Sequence, residues 1–565
     1  MLRIAARSVN FTHFMTKLTP TFESSRRAAR VSCFGMLLLV TLVARAEMPG
    51  DIAAIGPRTI SVDLSAYAAV YYVASGASHD AVGDGTQAKP WPSVALAMQR
   101  VEPVATGHRI AVLVAAGTYD DATVQMRGGV DLFGGYSAGS WQRDIFKNAT
   151  ILDGRHVRRV VLGASDARLD GFIVRRGRAF GDGGAILCDG SSPTISNNRI
   201  EDSFTLEPED FRADRIHQEG HRGGAVACLF DSVPLITNNL FIDNWTEIGD
   251  GGALAVYGRS EAREHPGMPR ARIENNVFVD NRAGVREDGR TRSSSGGAVV
   301  FSHENSPVFR NNIVAHNRSL GNSDAGGIYN EFICSPTIEN NWIVGNQADD
   351  DGGGIYTMRM GEPVIRHNLF AGNGTANGGV GGVRISKEGR AQVVDNQIVR
   401  NRTGGGILDV DGYLIAQGNL IADNLDPSHQ SAGISLRQSF AYFQPSRIEN
   451  NRILRNQGGA ILVQKKDVGP PPVLAGNTIQ EGPPATDGTT AAITAATFDQ
   501  SRGQTVIQLK GALGDIGTLA GRIVWRGDYW SVVVTNQADT ITVWGNLAAS
   551  DSDPALHLMP EYPGL

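Results

Sequence analysis

Residues 307–317 read PVFRNNIVAHN, residues 336–346 read PTIENNWIVGN, and residues 363–373 read PVIRHNLFAGN. The three stretches superimpose without a gap. In each, an asparagine (Asn312, Asn341, Asn368) has a large apolar residue two positions later (Val314, Ile343, Phe370) and another three positions earlier (Phe309, Ile338, Ile365). A second asparagine follows five positions on (Asn317, Asn346, Asn373). Outward from this centre the same spacing recurs around Asn198, Asn239, Asn276, Asn396, Asn419, Asn451 and Asn477. Two inward apolar residues thus flank a turn, and the spacing predicts asparagine in the left-handed conformation that such a turn requires. If the units stack, each asparagine lies over the last and the amides hydrogen-bond along the stack.

A pair of small residues opens each unit. The pairs are Gly183-Gly184, Gly223-Gly224, Gly251-Gly252, Gly296-Gly297, Gly326-Gly327, Gly353-Gly354, Gly381-Gly382, Gly404-Gly405, Ala432-Gly433 and Gly458-Gly459. They mark a second corner, where positive φ or close backbone approach is needed. A short apolar strand follows each pair, as in Ala185-Ile186-Leu187 or Ala298-Val299-Val300. No unit can bury its apolar face alone, so the neighbours must supply the core. A leucine-rich framework is absent, the unit from Asn396 to Asn419 is too short for a propeller blade, and the density of Gly, Asn and β-branched residues excludes a helical solenoid. The reading is all-β: a right-handed single-stranded parallel β-helix over residues 155–482.

The flanks differ. Arg26, Arg27 and Arg30 precede an apolar run from Phe34 to Val43, and Ala44-Arg45-Ala46 offers small residues at a cleavage spacing. Residues 1–46 therefore read as an export signal, with Met15 as an alternative start. The apolar run is short for a membrane span, and no other long one follows, which leaves the mature chain without a transmembrane segment. The expected destination is secreted, periplasmic or the bacterial cell surface. Residues 47–154 read as an N-terminal cap and first coils. Tyr71-Tyr72-Val73 forms a strand, and Ser93 caps a short helix to Arg100 whose Val94, Ala97, Met98 and Val101 share one face. Such a helix would plug the open end of the core. Near Pro483-Pro484 a linker begins, and residues 483–565 carry a separate small β-module with strands at 522–525, 529–535 and 540–544. Trp525, Trp530 and Trp544 form either its core or a sugar-stacking platform.

The units resemble those of the right-handed parallel β-helix superfamily typified by pectin and pectate lyases. Within it they are similar to polymorphic outer-membrane proteins, whose repeats carry GGA-[ILV] and F-x-x-N. Those motifs stand here at Gly183–Ile186, Gly223–Val226, Gly251–Leu254 and Gly296–Val299, and at Phe241–Asn244, Phe278–Asn281 and Phe370–Asn373. The final residues show no translocating outer-membrane barrel pattern, a departure from that group. The superfamily implies the fold; the first functional reading is a polysaccharide-directed β-helix that binds or cleaves an extracellular glycan. The outer-membrane group implies a non-catalytic adhesin or structural rod.

The formal net charge of −6 gives no global pull toward nucleic acid or anionic membrane. Insertions between the second asparagine and the next glycine pair, such as 204–222 and 282–295, must emerge along one edge and wall a groove. Counting from the second glycine, Tyr329, Tyr356 and Arg384 occupy one column of its floor. Glu331 and Asp409 fall nearby, and Lys387 and Asp411 at the rim. Tyrosine faces stack on sugars and arginine grips carboxylates. The substrate-binding candidates are therefore Tyr329, Tyr356, Glu331 and Asp411, and the catalytic ones Lys387, Arg384 and Asp409. In a lyase, Arg384 or calcium neutralises a uronate carboxylate while Lys387 or a tyrosine takes the C5 proton. In a hydrolase, Asp409, Asp411 and Glu331 are the carboxylates. Asp349, Asp350 and Asp351 precede a glycine pair, as Asp182 and Asp250 do. They are a candidate calcium set, although Asp-Gly is also ordinary turn chemistry. Cys188 and Cys228 each lie four residues after their second glycine, which adjacent coils would bring to a Cα spacing of about 5 Å. They are either a disulfide staple or two buried reduced thiols. The expected partner is an extracellular polysaccharide or cell-surface glycan.

Overall fold

The computed structural model describes residues 51–76, 83–102, 107–207, 221–258, 270–427, 433–438, 444–465, 470–486, 488–549 and 553–562. The proposed leader and Ala432 lie outside them. All of the described residues belong to the compact unit that begins at Arg45.

Each coil passes through up to four parallel sheets in a fixed order. One coil runs Ile186–Asp189 after the glycine pair (sheet 1), Thr194–Ser196 (sheet 2), Arg199–Glu201 (sheet 3) and Phe204–Leu206 (sheet 4). Among the described residues these sheets hold 12, 14, 13 and 7 strands. Each strand pairs in parallel with its counterpart one coil on, as Ile195 with Ile236 and Ile200 with Phe241. The residues flanking each asparagine all point inward. Phe309, Val314, Ile338, Ile343, Ile365 and Phe370 are fully buried members of one core cluster, and Phe241 stacks on Phe278 at 4.6 Å.

Two asparagine ladders run through the stack. In the first, at the turn between sheets 2 and 3, Asn276 donates from Nδ2 to Asn312 Oδ1 at 3.1 Å and Asn312 to Asn341 Oδ1 at 3.2 Å. In the second, between sheets 3 and 4, Asn281 donates to Asn317 at 3.0 Å and Asn317 to Asn346 at 3.0 Å. The expected conformation needs one correction. The left-handed residue is the one before each ladder asparagine: Asn275, Asn311, Asn340 and His367 have φ between 54° and 57°. That residue turns the chain and thereby releases the next side chain to point inward.

The glycine corner divides its labour. Gly183 takes φ +65°, while a Cβ on Gly184 would lie 2.3 Å from the Gly224 carbonyl oxygen. At two places the repeat slips by one residue. Val383 pairs with Ile407, so Gly381-Gly382 aligns with Gly405-Gly406 rather than with Gly404-Gly405. Val299 pairs with Ile328, so Ala325, at φ 56°, stands where other coils have the first glycine.

At the N-terminal end, Ser93 accepts a hydrogen bond from Leu96 N and caps the helix Val94–Arg100. Val94, Ala97 and Met98 join the core cluster, closing that end. At the opposite end, Leu474 and Ile479, which occupy inward positions of the last coil among the described residues, are each 50% exposed.

The C-terminal strands Thr490–Asp499, Gln504–Leu509, Ile523–Arg526, Tyr529–Asn536, Thr540–Trp544 and Ala555–Leu558 close an antiparallel barrel. This barrel does not hang from a linker. Trp525, Trp530 and Trp544 are buried in one cluster with Leu240, Val277, Ile313, Trp342 and Leu369 from the outer side of sheet 3. Trp342 donates from Nε1 to Gly521 O at 3.0 Å. The Trp530 side chain lies where Gly345 and Gly372 leave room; a Cβ on Gly372 would come within 2.2 Å of its ring. The tryptophans are thus an interface and present no sugar platform.

Candidate functional site

The outward residues of sheet 1 form columns. The pairing Tyr329 with Tyr356 with Arg384 holds as expected. Nearer the glycine corner runs a second column, in which Asp182, Arg222, Asp250, Ser295, Asp324 and Asp351 succeed one another through backbone hydrogen bonds such as Ala325 N to Asp351 O at 2.8 Å. On the far side stand Ser302, Glu331, Met358 and Ser386, and the turn beyond carries His303, Phe332, Arg359, Lys387 and Asp411.

The centre of this face is dense with polar contacts. Tyr329 donates from its hydroxyl to Glu331 Oε2 at 3.0 Å, and Arg359 Nη1 meets the same oxygen at 3.0 Å. Arg359 also lies over Phe332 at 4.5 Å. Arg384 Nε stands 3.3 Å from Asp351 Oδ2, while its Nη1 is buried without a hydrogen-bond partner. The Tyr356 hydroxyl meets Ser386 Oγ at 2.6 Å. Burial and the neighbouring Asp250 push the Glu331 carboxyl up to about 7, against the pull of Arg359. Burial, Asp351 and Asp350 push Asp324 up to about 7 as well. Near neutral pH both carboxyls therefore stand between their protonated and ionised forms, Glu331 against Arg359 and Asp324 near Arg384. A carboxyl poised near the working pH is what proton transfer to and from a substrate requires.

Several sequence expectations change here. Tyr329 and Tyr356 are 6% and 4% exposed, so their rings are not open stacking surfaces. They position Glu331 and Ser386 through their hydroxyls. Asp409 is not on this face at all. The one-residue slip at Gly404–Gly406 turns it inward, into the column of Cys188, Cys228, Phe301 and Ile385. There it is fully buried, and burial raises its carboxyl to about 7 despite the nearby charge of Arg384. Lys387 and Asp411 are neighbours at the rim turn, with Glu388 N donating to Asp411 O at 2.8 Å. Asp349, Asp350 and Asp351 do not converge: Asp349 accepts from Gly321 N at 2.7 Å while Asp351 faces Arg384. Arg222 and Ser295 also interrupt the longer aspartate column. Among the described residues no three His, Cys, Asp or Glu side chains gather as a metal would require. Cys188 and Cys228 are paired in register, as expected, and both are free buried thiols. Asp324 and Arg359 were missed. The repeated acid before the glycine corner pointed to Asp324, but Ala325 hid the corner.

The sequence matches a family model described as "Right handed beta helix region" over residues 129–381 and 375–498. None of the curated proteins matches. Among solved structures, the Dettilon tailspike protein is similar at a TM-score of 0.38 and 12% identity, covering 86% of this chain and 93% of that one. The complex of XylC with xylose gives 0.34 and 12%, covering 79% and 91%. The A-module of the mannuronan C-5 epimerase AlgE6 from Azotobacter vinelandii gives 0.30 and 12%, covering 69% and 95%. The family model spans well over half of the sequence, and its description agrees with the stacked parallel coils: the chain belongs to the right-handed β-helix family.

Proposed function

We propose that this is an exported protein that binds an extracellular polysaccharide along the outer face of sheet 1 and cleaves it there by general acid–base chemistry. The observation that carries the reading is the placement of Asp324 and Glu331 on one coil, both raised to about 7, with Arg359 on Glu331 at 3.0 Å and the Asp351–Arg384 pair, at 3.3 Å, on the next two coils. Carboxyls and guanidinium groups hydrogen-bond sugar hydroxyls from both sides, as acceptors and as donors. In the step itself, Asp324 or Glu331 gives its proton to the glycosidic oxygen as the bond to the anomeric carbon breaks. A second carboxyl group on the same face, for which Asp351 is the candidate, takes a proton from the attacking water. Arg384, with an unused N–H, orients the sugar or a carboxylate on it.

The test is incubation with neutral and acidic polysaccharides, with and without calcium, reading reducing ends, the absorbance of unsaturated products, and retention. The expected result is new reducing ends without unsaturated products, reduced 10²–10⁴-fold in Asp324→Asn and Glu331→Gln, roughly the worth of a general acid. Unsaturated products that vanish in Lys387→Ala would establish a lyase instead. The burial of Tyr329 and Tyr356 favours a second reading, the non-catalytic adhesin or rod that the GGA[ILV] and FxxN motifs imply. Retention without any product would decide for it. Absence of both product and retention refutes the polysaccharide reading.

A further inference from the structure

A cleft of about 420 Å³ opens where the edge of the barrel meets the turn between sheets 3 and 4. Its floor is a second set of left-handed residues, the ones before the second asparagine ladder. Asp243, Asp280 and His316 take φ 55°, 58° and 55° on three successive coils. Tyr529, from the barrel, closes the far side. Its hydroxyl donates to Asp280 Oδ1 and Oδ2 at 3.0 and 2.9 Å, and its ring lies 3.7 Å from that of His316. His316 Nδ1 is 2.6 Å from Asp280, and Arg318 Nη2 is 3.3 Å from His316 Nε2. An arginine can only donate, so Nε2 accepts, and Nδ1 carries the hydrogen that goes to Asp280. Asp280 is thereby ringed by donors.

Asp243 sits one coil away, exposed at the mouth and outside that ring of donors. Although part of the residue meets solvent, loss of water around its carboxyl in the cleft, and then the charge of Asp280, push it up to about 6 against the pull of Arg282. Beside the acidic column, on the outer side of sheet 4, Trp245, Arg282 and Arg318 follow one another in register. Arg282 Nε is buried and has no hydrogen-bond partner. Trp245 stacks on Phe204 at 4.1 Å and 14°, so its other ring face looks along the stack toward the coil of Arg282.

We infer that this cleft is part of a second saccharide site, built jointly by the coils and the barrel, that takes one or two neutral sugar residues with their hydroxyls on Asp243 and Arg282 and continues past the cleft lining onto Trp245, the neighbour of Arg282 in its column. The chemistry selects the ligand. Three acids and two arginines line the cleft, but Asp280 is engaged by Tyr529 and His316 and Asp528 by Arg402 at 2.8 Å, which leaves Asp243 opposite the arginines, so neither a strongly anionic nor a strongly cationic ligand finds a complementary field. A neutral polyol uses both kinds of group, and an aromatic edge suits its C–H face. The volume lies at the lower end of the range for small-molecule sites. The barrel cannot swing away without giving up the tryptophan interface, so Tyr529 is a fixed wall. The inference rests on the polysaccharide reading, but it concerns a different face, and the two fail separately.

The test titrates the full chain with neutral tetrasaccharides of glucose, xylose, galactose and mannose, and with tetragalacturonate. Tryptophan fluorescence and calorimetry report binding. At least one neutral tetrasaccharide should bind and alter the fluorescence. Asp243→Asn and Arg282→Ala should each weaken it about tenfold, the effect of losing one charge-assisted hydrogen bond. Trp245→Ala should abolish the fluorescence change. Glu331→Gln, on sheet 1, should leave this binding intact while removing polysaccharide cleavage. Circular dichroism confirms that each variant is folded. Binding unchanged in both Asp243→Asn and Arg282→Ala, tetragalacturonate as the sole binder, or no binding of any probe by the unaltered chain would each overturn the inference. If cleavage on sheet 1 persists in that case, the polysaccharide reading survives it.

Discussion

Asn341→Ala tests whether the ladders hold the stack together. Asn341 Oδ1 accepts from Asn312 N at 2.8 Å and from Asn312 Nδ2 at 3.2 Å. Its Nδ2 donates to Phe309 O at 3.1 Å and to Asn368 Oδ1 at 2.9 Å. All of these groups are buried, so no water replaces the lost partner. Truncation strands the Asn312 backbone N–H and one N–H of its side-chain amide, the other still donating to Ile273 O at 2.9 Å. At roughly 1–3 kcal/mol for each unsatisfied buried group, the expected loss is about 2–6 kcal/mol. The control is the neighbouring Asn340→Gly, which keeps the left-handed conformation available and should cost less than about 1 kcal/mol. Urea unfolding followed by circular dichroism measures the difference. Because stacked repeats can open in segments, hydrogen exchange of the Asn312 and Asn341 amides should accompany it. A loss below about 1 kcal/mol with unchanged exchange at Asn312 would refute the view that the amide ladder is a principal constraint on the coils.

Asp409 gives a pH-dependent outcome. Its folded carboxyl is raised to about 7, so the folded chain binds this proton more tightly than the unfolded one. The resulting stability is complete below the ordinary carboxylate range and drains as the pH climbs to 7. The stability of the wild type relative to Asp409→Asn should fall by up to about 4 kcal/mol between pH 4 and 7, and a pH-independent difference would contradict the assignment. Trp530→Ala should loosen the barrel at a cost of about 3–5 kcal/mol, and exchange should rise in Trp342–Val344 and Leu369–Ala371 but not in sheet 1. Cys188, Cys228 and Cys334 are all buried, so a thiol reagent should react with them only as fast as the chain unfolds. Prompt labelling of the native protein would show that the core around them opens.

The coil itself was readable because its rule is strict. Asn341 with Ile338 and Ile343 at fixed distances admits one stacked arrangement, and the structure has it. What escaped the sequence followed from single-residue offsets and long-range contacts. Three consecutive glycines at 404–406 leave the count ambiguous by one, and in a strand that reverses a side chain, as it did for Asp409. In Asn-Asn pairs such as Asn340-Asn341 the residue type does not reveal which partner turns and which points inward. Tyr329 and Tyr356 were correctly placed in one column, but the column count does not show that their rings pack into a cluster with outward neighbours such as Val300, Ala325 and Met358. The barrel's position was invisible, because Tyr529 and Asp280 meet across 249 residues. The spare room at Gly345 and Gly372 makes sense only once Trp530 is seen to fill it.

The unequal ends give the stack a direction. A helix seals the first coil, whereas Leu474 and Ile479 meet solvent at the last. Thermal or mechanical unravelling should therefore start at the C-terminal coil and travel backward, one rung at a time. It should stall where the barrel clamps the outer side of sheet 3, because there a coil cannot leave without also releasing the tryptophans. The barrel thus acts as a brake placed partway along a ratchet, and the coils between it and the sealed end are the last to yield.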